Sequence, residues 1–481
     1  MNRRLPVQRK KGLRRSREAP RAKRSGHSWR WTIASVVGCC AVAAIVFLVM
    51  QRQWPQPDAL PAEGQVAQTA LLETIPPQAM PHGPDRKFEL PSALVELDTK
   101  QEQSRLLSEV EEAIRRYPSD ASLYHIGALT YNELLQTERA DELFSKSLAL
   151  AGQNVDVLIA YADMLDQLGR HDEAVTMLSK AVDGGLVTEG LLTALGKAYA
   201  ETGQLEAAVR TLEQCVERYP NSSSAHLPLA QALVQVQRFA EAEQHARIAL
   251  AQDAENRASY VALSAALMRQ NKKDEALALR SQMPKVDPQV MPDDDRYQRS
   301  FRSFAANTYT MLGNSYISHQ SPAAAERVLI QSLKLDPQSI KAAVVLADLL
   351  HRLGRLDDSM IVYKRLTELD PGNFLNFHNL ASLAVSTGNI AVAENAIRRA
   401  AETDTSGNGD LLLARFLLGV GNIEEGAASA QRAADRLGNV DAYLALIAAH
   451  RARGDKAAAL STFLKAKSLA PNDPRLTTFT P

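Results

Sequence analysis

This sequence predicts an all-α fold, an α-solenoid of helix–turn–helix units preceded by one transmembrane helix. Three observations predict it. Small residues recur at a spacing of 34 from Ala128 onward, glycines and prolines punctuate the same register, and residues 31–50 carry no formal charge. A constant period in this range marks stacked supersecondary units, each too small to bury its apolar face without a neighbour.

Charge divides the chain into two unlike parts. The 481 residues hold 55 Lys and Arg against 55 Asp and Glu, yet residues 1–50 carry +11 and the remainder −11. Such asymmetry marks a tail with its own partner or a membrane topology signal. A hydrophobic content of 45% with 23% charged residues excludes global disorder. Aromatics at 5% argue against a nucleic-acid stacking platform in the solenoid. Only three cysteines occur, Cys39, Cys40 and Cys215, which excludes a disulfide scaffold.

Residues 1–30 form the basic tail, expected to stay cytoplasmic, with anionic lipid as one partner for its charge. Residues 31–50 follow as a transmembrane helix. Twenty residues at a rise of about 1.5 Å span about 30 Å, the thickness of a hydrocarbon core. Trp29, Trp31 and Trp54 flank this run, at the headgroup levels that indole rings favour. Positive charge before the span and only Arg52 close behind it keep the N-terminus inside and export the rest. Two rivals stay open: a signal peptide cleaved near Ala41-Val42-Ala43, and a lipoprotein site at Cys39. Residues 51–99 hold eight of the 22 prolines and no lasting amphipathic period, so they read as a spacer.

The segment 100–120 is expected to cap the first repeat, with a helix at about 100–117 that ends at Pro118. Repeats one to five fill 121–290, an insertion follows at 291–305, repeats six to ten fill 306–473, and 474–481 is a tail. The register rests on named columns. The close-approach position reads Ala128, Ala162, Gly196, Ala230, Ser264, Gly313, Ala347, Ala381, Ala414 and Ile447. Leucine precedes it at Leu195, Leu229, Leu263, Leu312, Leu346, Leu380, Leu413 and Leu446. Twelve residues further comes a second small column, from Ala140 through Ala208 and Ala325 to Ala459. Gly169, Gly203, Gly354, Gly388, Gly421 and Gly454 sit where the two halves of a unit must turn.

Segments such as LGKAYAETGQLEAAVRTLEQCVERYP (195–220) and LADLLHRLGRLDDSMIVYKRLTELDP (346–371) carry this pattern most fully. It resembles the tetratricopeptide repeat family over residues 121–473. The resemblance implies a right-handed solenoid of ten repeats and a concave groove, lined by first helices, that takes a protein or peptide partner. Matching inward positions include His125, Asp163, Lys197 and Gln231. The groove residues proposed from the polar stretch of repeats six to nine are Asn307, Tyr309, Asn314, Lys341, Asp348, His378 and Arg415, with Tyr316 nearby. The paired Lys and Asn of the carboxylate clamp in cytosolic relatives are not matched.

Two further contacts are expected. The Pro-Asp-Asp-Asp start of the insertion suggests a loop and a helix extension, either a tolerated insertion or a hinge or partner contact. Beyond Ala470 no helix follows, which would leave Leu460 and Phe463 uncovered and available for a dimer contact. No catalytic constellation is present: there is no HExxH, no GxSxG and no CxxC outside the apolar run. Gly190 to Lys197 lacks the phosphate-loop spacing, and Asp293-Asp294-Asp295 lacks the spaced ligands of a calcium loop. No catalytic residue, metal or cofactor is expected. The functional expectation is a membrane-anchored adaptor facing the periplasm or exterior, serving an envelope, secretion or cytochrome-type complex. A cytosol-facing regulatory scaffold is the alternative.

Overall fold

The computed structural model describes residues 88–284 and 293–476, apart from Val95 and Asn221. The basic tail, the 31–50 span, its three tryptophans and most of the spacer lie outside the described residues. No helix among the described residues is long and apolar enough to cross a membrane. Two compact units are present, one ending at Leu383 and one beginning at Ala384. Among the described residues there are 21 α-helices and no strand.

In the larger unit, α1 covers Thr99–Arg116. It is followed by α2 (Ala121–Glu133), α3 (Thr137–Ala151), α4 (Val155–Gln167), α5 (His171–Asp183), α6 (Glu189–Glu201) and α7 (Leu205–Arg218). The chain continues through α8 (Ser223–Gln235), α9 (Phe239–Gln252), α10 (Arg257–Arg269) and α11 (Lys273–Gln282). After the break come α12 (Asp293–Ser318), α13 (Pro322–Leu335), α14 (Ile340–Arg352), α15 (Leu356–Leu369) and α16 (Phe374–Ser386), the last reaching the unit boundary. The smaller unit holds α17 (Ile390–Thr403), α18 (Asn408–Gly419), α19 (Ile423–Leu437), α20 (Val440–Ala452), α21 (Lys456–Leu469) and a 3-10 turn at Pro474–Leu476.

Helix starts follow capping chemistry. Asp120, Asn154, Thr188, Ser222, Asn256, Ser339 and Asn439 each accept a first-turn backbone N–H at the head of a first helix. Second helices follow a tight turn instead. There Gly169, Gly203, Gly354, Gly388, Gly421 and Gly454 adopt φ of 70° to 84°. Where glycine is missing, Leu135, Gln237, Asn271 and Gln320 take the same left-handed conformation, with φ of 53° to 65°. Packing of the two helices therefore imposes the turn even on residues that disfavour it.

The small columns explain why the hairpins close. A Cβ on Gly313 would stand 2.7 Å from Leu329 Cδ2, and one on Gly196 would overlap Leu212. Leu212, Leu229, Leu233 and Ala266 lie in one buried cluster, each wholly excluded from solvent. Burying a leucine is worth about 1.5–3 kcal/mol, so each hairpin is held mainly by this seam. Within each unit hairpins stack side by side, the packing of an α-solenoid.

The stack does not follow chain order at the insertion. Among the described residues α11 packs on α10, whereas α12 packs on α1 and α2 as well as on α13 and α14. Helix α1 is thus not an outer cap, as the sequence suggested, but an internal element shared by two hairpins. Residues 293–305 are the opening turns of the 26-residue α12. Those turns lie along α1, where Phe301 is fully buried and Gln103 Nε2 donates to Tyr297 Oη at 2.8 Å.

The C-terminal end also differs from expectation. Leu476 in the 3-10 turn joins Ile447, Phe463 and Ala466 in one cluster, leaving Phe463 only 8% exposed. Arg475 fastens that turn through Asp441 (2.7 Å) and Asp473 (2.8 Å). Leu460 does remain exposed.

Candidate partner-binding surface

The first helices present the surface on which a partner could act. On α12, Asn307 and Asn314 are exposed two turns apart on one face. The adjacent α14 exposes Lys341 and, two turns on, the half-buried Asp348, whose Oδ2 accepts from Arg352 Nε at 3.0 Å. Because α12 and α14 pack against each other, these four residues lie on neighbouring helices. His378 on α16 is half-buried with its ring 5.8 Å from that of Phe374, and burial pulls its pKa below the usual histidine value. Arg415 falls in the smaller unit, where its guanidinium donates to Asp441 at 3.3 Å and burial pulls its pKa down.

Tyr309 and Tyr316 do not face a partner. They are 1% and 2% exposed, and their hydroxyls donate to Glu102 (2.8 Å) and Glu109 (2.7 Å) of α1. Gln331 Nε2 also donates to Glu102, at 3.0 Å, and Arg327 holds Glu109 through Nη1 and Nη2 of its guanidinium. Next to this, Asp120 accepts from Ser315 Oγ at 2.8 Å and lies 2.8 Å from His319 Nε2, while the His319 ring stacks on Tyr117 at 3.9 Å. The register contained a signal for the tyrosines. Their columns include the buried Tyr124, Leu158, Leu192 and Tyr260, and the buried Leu165, Leu233 and Leu267, with Tyr131 and Tyr199 half-buried in the second. The carboxylates were detectable too. Glu102 and Glu109 share one face of α1 with Leu106, Val110 and Ala113, a place for an acid only if a buried partner waits.

This cluster sets an acid limit. Burial pushes the Glu109 carboxyl up, but hydrogen bonds from Arg327 and Tyr316 outweigh it and hold it below the usual range. Asp120 follows the same pattern, with Ser122, Ser315 and His319 outweighing burial. Burial, with the adjacent glutamates, pushes both phenols well above the usual tyrosine value, so they remain donors. A depressed carboxylate stabilises the fold above its unfolded pKa and loses that contribution as pH falls through its folded one. The contact of α1 with α12 should therefore hold steady from about pH 8 to 5 and weaken below about pH 4. Melting curves between pH 6 and 2.5 should show this loss, and Glu109→Gln should flatten its pH dependence.

Further along the larger unit the solvent-facing positions of the first helices change character. On α8 they hold Leu227, Gln231 and Val234, and on α10 Val261, Ala265 and Met268. Sequence reasoning passed over them by weighting polar groups. Among the described residues no group of three or more His, Cys, Asp or Glu side chains is placed to hold a metal. A surface cleft of about 690 Å³ in the smaller unit is lined by Gly421, Asn422, Ile423, Glu424, Ala452 and Arg453. Its one charged feature is the exposed Arg453–Glu424 pair at 2.5 Å. Cys215 is fully buried and burial raises its thiol pKa, which makes it an inert packing residue.

Comparison with known families agrees with this architecture. The family model of the Psidin N-terminal TPR repeats region matches residues 157–286, and the tetratricopeptide repeat model matches 310–374 and 411–474. These stretches are tetratricopeptide repeats. Among solved structures the chain is similar to YrrB, described as a TPR protein with an unusual peptide-binding site. Identity there is 17%, coverage 36% of this chain and 89% of that one, and the TM-score 0.31. It is similar to MamA from Desulfovibrio magneticus RS-1 at 17% identity, covering 35% and 97%, with a TM-score of 0.31. The APC/C hetero-tetramer Cut9–Hcn1 covers 74% of this chain and 88% of its own, at 14% identity and a TM-score of 0.27. No curated protein matches the chain.

Proposed function

We infer that this protein is a membrane-anchored scaffold whose tetratricopeptide repeats bind a protein or peptide partner in the bacterial envelope. Its role in this reading is to assist assembly of an envelope, secretion or cytochrome-type complex from the periplasmic side. The observation that carries the binding role is the exposure of Asn307, Asn314 and Lys341 on helices whose opposite faces are locked in the core. Rigid backbones hold these side chains at fixed separations, so a partner binds without ordering them and loses less entropy. Asn amides and a Lys ammonium suit backbone amides or a carboxylate. The anchor and the orientation rest on the uncharged run 31–50 and the +11 flank.

Affinity capture with the full-length chain, followed by mass spectrometry, tests the binding role. Lys341→Glu with Asn314→Asp should reduce the captured partner at least tenfold, and unchanged capture would move the interface elsewhere. Orientation needs a separate probe, because the buried Cys215 would not react in the folded protein. A cysteine introduced at the exposed Asn314 should react with a membrane-impermeant maleimide once the outer envelope is opened. Protection until the inner membrane is breached would reverse the orientation.

A further inference from the structure

We propose that the first helices of the fourth and fifth repeats form a docking strip for an acidic amphipathic helix. The proposal rests on the scaffold reading and names the chemistry of one partner. Val261 and Met268 lie seven residues apart on α10, two turns along one face, and are 58% and 45% exposed. Ala265 lies between them. The buried residues of α10 include Tyr260, Leu263, Ala266 and Leu267, so the exposed pair is a second apolar face rather than a loose core. Helix α8 packs beside α10 and borders the pair with Leu227 and Val234, again seven apart, half-buried and packed against the core beneath.

Charge selects the occupant. Helix α8 has no charged residue, and α10 has only Arg257 and Arg269, which bracket the strip. The first helices before them differ: α4 carries Asp156, Asp163 and Asp166, and α6 carries Glu189, Lys197 and Glu201. The strip is therefore the carboxylate-free section of these neighbouring first helices, with a guanidinium at each end. Arg257 already donates to the Pro284 carbonyl. Apolar anchors seven apart on a partner helix span about 10 Å, the separation of Val261 and Met268 along α10. Carboxylates on that helix would meet Arg257 and Arg269 in paired hydrogen bonds. A basic helix would meet the same two cations and be repelled.

Fluorescence anisotropy with the full-length chain in detergent tests this, using two labelled synthetic helices. Both carry leucines seven apart, one flanked by glutamates and the other by lysines. The acidic helix should bind at least tenfold more tightly than the basic one. Val261→Glu with Met268→Glu should abolish that binding while leaving the melting midpoint unchanged, because both side chains lie outside the core. Arg269→Glu should narrow or reverse the preference. Equal binding of both helices, or binding that survives the double glutamate variant, overturns the proposal. Sedimentation showing a dimer lost in that variant also overturns it, by assigning the strip to a second copy. If the acidic helix fails while partner capture still depends on Lys341, the strip is refuted and the scaffold reading stands.

Discussion

Tyr309→Ala is expected to cost the larger unit about 3–5 kcal/mol, the range for emptying a fully buried aromatic site. Two effects combine. The ring is 1% exposed, so its removal opens a cavity between α1 and α12. Its hydroxyl also donates to Glu102, a carboxylate only 5% exposed, which would keep Gln331 but lose a short hydrogen bond. Tyr309→Phe isolates the second effect and should cost about 1.5 kcal/mol, the low end for a bond to a charged group, because Gln331 still donates. Hydrogen exchange reads where the loss falls. Amides of α1 should lose protection first, since α12 is the partner that its buried face shares with α2. A Tyr309→Ala variant no more damaged than a surface substitution, about 0.5 kcal/mol, would show that α1 does not depend on this contact.

The second large effect lies in the smaller unit. Asp410 is 2% exposed and accepts from Arg432 Nε and from Arg436, each at 2.8 Å. Arg432→Met with Arg436→Met leaves that carboxylate buried without either cation. Removing the partners of a buried charge costs about 3–5 kcal/mol. Asp410→Leu should behave oppositely, changing stability by less than about 1 kcal/mol or raising it, because a buried ion pair often gains little over an apolar isostere. The register supports this substitution, since Leu158 and Leu192 fill the same column and are buried. Exchange rates in α18 and α19 would distinguish the variants. A double methionine variant as stable as the wild type would show that solvent reaches Asp410.

Both sites expose the same boundary between pattern and packing. The column containing Tyr309, Leu158, Leu192 and Asp410 is a burial position in every described hairpin but the last, where Tyr443 is partly buried. Reading it as a column would have moved Tyr309 out of the groove. The polar residues Asn307, Asn314 and Lys341 were legible as exposed because they fall in neither the small nor the leucine column. Arg415 was not legible, since its partner Asp441 comes from the next first helix and is invisible to a period. The apolar strip on α8 and α10 was written in the sequence but passed over.

The sequence by itself determined the helical hairpins, their starts and the seam that closes each one. Those features depend on contacts within a unit or between units adjacent in the chain, so a 34-residue period records them. It also determined the charge asymmetry about residue 50. Only the tertiary structure decided that α12 packs on α1 instead of continuing from α11, and that Leu476 covers Phe463. The α1–α12 hydrogen bonds join residues separated by 207 positions, as in Glu102 with Tyr309 and Glu109 with Tyr316. Such contacts depend on which surfaces meet in space, and a buried carboxylate is tolerated there only because a donor arrives from a distant repeat. A periodic pattern says that a face must be covered; the three-dimensional arrangement says by what.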